Sequence, residues 1–90
     1  MDEVTVKIRV TKGDIAAGLR ANCRTCPIAR ALQRRFRPTE VKVCHQFASL
    51  IWGQTYHQAP MPIKAATWLL AFDQGHVMQP FTFEIDVPRR

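Results

Sequence analysis

Two stretches of strict alternation bracket this chain. Val4, Val6, Ile8 and Val10 alternate with Thr5, Lys7 and Arg9, and Phe81, Phe83, Ile85 and Val87 alternate with Thr82, Glu84 and Asp86. A period of two in β-branched and aromatic residues marks a strand with one buried face and one wet face. Strands are therefore predicted over residues 3–10 and 81–87. Their apolar faces need a cover, and helices between them are the natural source.

Thr11-Lys12-Gly13-Asp14 reads as a capping box that opens a short helix through Ala17, with Gly18 as its stop. Pro27 suits the first position of a second helix, over residues 27–36, because its missing N–H has no partner there anyway. Ile28, Leu32 and Phe36 recur every four residues and form one apolar stripe, and Pro38 ends the helix. A strand is expected over residues 40–50, with Val41, Val43 and Phe47 on one face. Trp52-Gly53-Gln54 is the best hairpin turn, followed by a short strand over 55–58. Residues 63–72 are apolar nearly all round, so a helix over 62–73 should be the buried one, capped by Gly75. Ile28, Leu32, Phe36, Ile63, Leu69, Leu70, Phe81, Phe83 and Ile85 are the expected core. The pattern predicts an α+β fold in which a small sheet packs against two helices. Its strand-helix-strand-strand-helix-strand order fits a ferredoxin-like split βαβ arrangement.

Ninety residues make one domain, 1–90, with a small core. Thirteen basic against seven acidic residues give a net charge of +6, which favours an anionic partner. The first residues carry no signal-peptide pattern, and no apolar run approaches the ~20 residues needed to span a bilayer. A cytoplasmic protein that does not enter the membrane is expected, as a monomer or a homodimer. Three cysteines exclude a complete disulfide framework and leave thiols or metal ligands.

Cys26-Pro27-Ile28-Ala29, Phe72-Asp73-Gln74-Gly75 and Pro80-Phe81-Thr82-Phe83-Glu84-Ile85 are spread over most of the chain. Together they resemble small uncharacterised proteins of tailed bacteriophages and prophages, especially those of actinobacteria. The resemblance implies a viral origin and a place in the host cytoplasm. It implies no activity and no functional residues.

Three constellations carry chemistry. The first is the run of Arg20, Arg24, Arg30, Arg34, Arg35 and Arg37, with Lys42 on the next strand. Arg30 and Arg34 share a helix face that suits a row of phosphates, so Arg24, Arg30, Arg34, Arg35, Arg37 and Lys42 form a candidate surface for DNA or RNA. The bland alternative is a solvated outer face of an amphipathic helix. No helix-turn-helix, zinc-finger or RNA-binding signature is present. An open sheet face could present aromatics, although the RNA-recognition aromatic motif is missing.

The second is Cys23-x2-Cys26, which has zinc-knuckle spacing. With Cys44 and His57 it makes the most sensible zinc set, set against the simpler expectation of no cofactor. Cys44 and His45, as neighbours on a strand, should face opposite ways. Cys26 alone, at a helix N-cap near Arg24 and Arg30, is expected to lean towards thiolate and to react faster than Cys44. No base or oxyanion site can be placed for it, so no catalytic residue is assigned and a protein without catalytic activity is expected. The third is Trp52 with Tyr56, which either closes a small core or anchors a protein partner such as a host factor.

Overall fold

The computed structural model describes residues 3–88. The chain is α+β. In order it forms β1 (Glu3–Val10), α1 (Lys12–Ala17), α2 (Pro27–Phe36), β2 (Glu40–Val43), β3 (Phe47–Trp52), β4 (Thr55–Pro60), α3 (Ile63–Asp73) and β5 (Phe81–Pro88). The two alternating stretches find each other: β1 and β5 pair antiparallel along their full length, from Glu3 opposite Pro88 to Val10 opposite Phe81. β2, β3 and β4 form a separate antiparallel sheet in that order.

The ferredoxin-like arrangement is therefore corrected, because its strands would share one sheet. The expected strand 40–50 is also broken, at Cys44–Gln46, into β2 and β3. The reversal is closed by Cys44 N–H donating to the Phe47 carbonyl at 3.0 Å. The Cys44 thiol supports it by donating to that carbonyl at 3.3 Å and accepting from the Phe47 N–H at 3.4 Å. A sulfur thus does what Gly, Asn or Asp usually does in a turn. The turn resets the alternation, so Phe47 lies on the face opposite Val41 and Val43. The next hairpin follows expectation: Trp52 faces Thr55 across Gly53-Gln54, and Gly53 has φ +59°, as a type II′ turn asks of its first central residue.

α2 packs against both β1 and β2, and so bridges the two sheets. Ile28, Leu32, Ala29 and Ala31 are fully buried in the one core cluster, which also holds Ile8, Val10, Leu50, Phe83 and Ile85. β4 and β5 touch as well, with His57 Nε2 2.8 Å from the Asp86 carbonyl. α3 ends in a Schellman motif: Gly75 at φ +92° donates to Phe72 O and His76 donates to Ala71 O. Its inner face is Ala65, Trp68, Leu69 and Phe72, with Trp68 stacked on Phe81 at 4.6 Å. Ile63 and Leu70 were expected in the core and are instead 86% and 47% exposed. A helix apolar all round gives no sign of which stripe turns inward, and these two share the outward one. Phe36 and Phe81 are half-buried against the core rather than inside it.

α1 is tied to α2 at both of its ends. Both halves of the capping box are present, with Asp14 N–H donating to Thr11 Oγ1 at 3.2 Å and Thr11 N–H donating to Asp14 Oδ2 at 2.9 Å. Asp14 is 3% exposed, and Arg34 grips it with Nη1 to Oδ1 at 2.6 Å and Nη2 to Oδ2 at 3.0 Å. At the other end Gly18 sits against Pro27, where an added Cβ would lie 2.6 Å from Cδ. Gly18 has an ordinary extended φ of −72°, so glycine is needed there for close approach and not for a left-handed turn.

Burial alone would raise the Asp14 pKa, but the Arg34 and Thr11 hydrogen bonds outweigh it and hold the carboxyl below its ordinary 3.8. A depressed native pKa stabilises the fold above the unfolded value and ceases to do so as pH falls through the native one. Arg34→Ala should cost about 1–3 kcal/mol, less than a fully buried broken pair because the arginine side chain is half exposed. Asp14→Asn should flatten the loss of stability below about pH 4 in urea melts; an unchanged pH profile would show that the pair contributes nothing. Gly18→Ala should lose about 1–3 kcal/mol by overpacking against the rigid proline ring, and an unshifted melt would refute that contact.

Candidate functional site

The basic residues divide into those that are engaged and those that are not. Arg34, expected to point to water, is the clamp on Asp14 and also donates to the Arg9 carbonyl at 2.8 Å. Arg24 pairs with Glu40 at 2.8 Å. Arg35 lies over the Phe36 ring at 5.3 Å and Arg20 over Phe72 at 5.9 Å. Arg30, Arg37 and Lys42 are exposed, and among the described residues none of the three enters an ion pair. Arg30 and Arg37, seven apart, sit on the outer side of α2 about 10 Å from each other along its axis. Arg37 is the helix C-cap, in the left-handed conformation at φ +49°, and from there the chain rises into β2 and Lys42.

The thiols gather around one cleft of about 240 Å³, lined by Ala21, Asn22, Cys23, Cys26, Val43, Cys44, His45, Leu69 and Asp73. Its shape starts from Asn22. The Asn22 Oδ1 accepts from Arg24 and Thr25 N–H at 3.1 Å each, and its carbonyl accepts from Cys26 N–H at 3.0 Å. This local turn leads straight into α2, where the Cys26 sulfur is the N-cap and accepts from Ala29 N–H at 3.4 Å. Cys23 is anchored to β2 through its carbonyl, which accepts from Val43 N–H at 2.7 Å. On the facing wall His45 Nε2 lies 3.2 Å from Asp73 Oδ2, while Asp73 Oδ1 accepts from Ala21 N–H at 2.9 Å. Ala21 takes a left-handed φ of +53°, a conformation unusual for a residue with a Cβ.

Two expectations change here. Cys44 and His45 line the same cleft, because they belong to a turn and not to a strand. The histidine that joins the thiols is His45, whereas His57 of the expected zinc set is held at the Asp86 carbonyl. Among the described residues no three His, Cys, Asp or Glu side chains are placed to hold one metal ion. Cys26 is also not an activated thiol. It is 1% exposed, and burial pushes it up to about 11, against the donation from Ala29 and Ile28, with Asp73 and Cys23 adding to the rise. The helix N-terminus that should favour thiolate is outweighed by loss of water around the sulfur. Among the described residues no hydrogen bond joins His45 to a thiol.

Trp52 and Tyr56 part company. Trp52 meets Phe36 edge-on at 6.1 Å and donates from Nε1 to the Phe36 carbonyl at 3.1 Å, so it fastens β3 to the end of α2. Tyr56 is 54% exposed on the outer face of its sheet. Sequence reasoning could not find the Asp14–Arg34 clamp or the His45–Asp73 contact, because the partners are 20 and 28 residues apart and carry no local signal. No protein-family model, curated protein or solved structure matches the chain. Among the described residues no helix is long and apolar enough to cross a membrane.

Partial alkylation at neutral pH should label Cys23 first, Cys44 next and Cys26 last, since exposure falls in that order and burial holds the Cys26 thiol protonated. Peptide mapping by mass spectrometry reads the order directly. Early labelling of Cys26 would contradict its place as a buried cap.

Proposed function

We propose that this chain is a small accessory protein of phage type, acting in the host cytoplasm without catalysis of its own. Its partner is nucleic acid, bound through phosphates on the outer side of α2 and the adjoining edge of β2. The observation that carries this reading is how the charges are spent. The carboxylates nearest the arginine run are already committed, Asp14 to Arg34 and Glu40 to Arg24, so Arg30, Arg37 and Lys42 are not neutralised within the described fold. Exposed, unpaired cations on a molecule of net charge +6 release counterions from a phosphate chain on contact. Contacts of this kind hold any sequence alike, because they do not reach base edges.

The probe must avoid Arg34, whose loss would disturb α1. Arg30→Ala with Arg37→Ala removes two exposed cations and leaves every ion pair of the described residues in place. Each phosphate contact adds about 0.9 to the slope of log affinity against log salt on duplex DNA and about 0.7 on a single strand. The double variant should flatten the slope by roughly 1.4 to 2 units, with the melt unchanged. Wild-type protein that binds neither DNA nor RNA at low salt would remove the reading in favour of a protein partner.

A further inference from the structure

Among the described residues the three-stranded sheet is covered on one side only. Val41, Val43, Ala48, Leu50 and Ala59 point into the core. The opposite face carries Lys42, Phe47, Ser49, Ile51, Tyr56 and Gln58, with Glu40 at its edge. A shallow groove of about 370 Å³ runs over this face between Glu40, Lys42, Phe47, Ser49, Ile51 and Tyr56. The Tyr56 hydroxyl donates to Gln58 Oε1 at 2.9 Å and lies 3.2 Å from Ser49 Oγ on the neighbouring strand. Ser49 is only 8% exposed although it faces outward, as a serine beneath a tyrosine ring would be. The ring therefore leans across the sheet, tethered at its hydroxyl, and more than half of the residue stays open to solvent. Phe47 lies four residues before Ile51, the cross-strand partner of Tyr56, which sets the two aromatics about 13 Å apart along the strands.

We infer that this face is a stacking platform for the bases of a single-stranded nucleic acid. Three features choose that occupant. A tethered aromatic ring on an open sheet offers a flat π surface, and any unpaired base can stack on it regardless of sequence. The carboxylate at the rim, Glu40, is paired with Arg24, so Lys42 sets the sign of the charge on the face. A second copy of this chain would bring its own net +6 to a surface of the same sign, and duplex DNA keeps its bases stacked inside. The inference rests on the nucleic-acid reading above and deepens it: the arginine side supplies phosphate contacts, and the sheet face adds preference for unpaired strands.

Fluorescence anisotropy with labelled polythymidine and with a duplex of equal length separates the two. Tyr56→Ala should weaken polythymidine binding roughly 5- to 150-fold and leave duplex binding unchanged, whereas Tyr56→Phe, which keeps the ring, should retain most of the affinity. Photocrosslinking of a bromouracil-substituted strand to the wild-type protein gives a readout that needs no variant, with adducts expected on Tyr56 or Phe47. Salt-dependent binding that Tyr56→Ala does not alter, or adducts confined to α2, would overturn the platform and leave the arginine reading intact. Absence of any nucleic-acid binding would overturn both.

Discussion

The fold depends on one carboxylate. Asp14 is almost fully buried, and a buried charge is tolerated only when partners surround it. Thr11 and Arg34 supply those partners, and Arg34 extends the link to the carbonyl of Arg9 at the end of β1. Three elements meet there. α1 has only six residues, far fewer than a helix needs to hold itself in water. It is held because its start is clamped near the end of α2 and its exit rests on Pro27 at the start of α2. The two helices consequently run antiparallel, and α2 is oriented across both sheets.

That clamp alters the meaning of the arginine run. A row of like charges on one helix reads as a single functional surface, yet its members do different work here. Arg34 orders α1, Arg24 ties the turn before α2 to β2, and Arg35 and Arg20 lie over aromatic rings. What remains to meet a partner is a thinner set: Arg30 and Arg37 on the α2 side, and Lys42 on the outer sheet face. The cysteines are divided in the same way. Cys26 caps a helix and Cys44 closes a turn, so two of the three sulfurs replace backbone or hydroxyl partners, and Cys23 alone lies open at the mouth of the cleft.

The candidate surfaces were partly legible in the sequence. The cationic stretch could be located, and Tyr56 could be singled out beside its turn. Which arginines are occupied depends on Asp14 and Glu40, 20 and 16 residues away from their partners. The sheet face could not be drawn until the break at Cys44 was known, because a shift of one residue in the alternation sends every side chain to the other side. An unbroken strand through residue 47 would have put Phe47 in the core with Val41 and Val43.

By itself the sequence determined whatever is decided within about four residues. The alternation of β1 and β5, the Thr11–Asp14 box, Pro27 at a helix start, the Gly53 turn and the Gly75 cap all follow from contacts of that range, and each is found where its residues predict it. Tertiary structure alone decided the division into two sheets, the inward stripe of α3, the burial that holds the Cys26 thiol protonated, and the use of Arg34 as a clamp. In each of these the local pattern is compatible with more than one outcome, and the choice is made by packing or pairing with residues far along the chain.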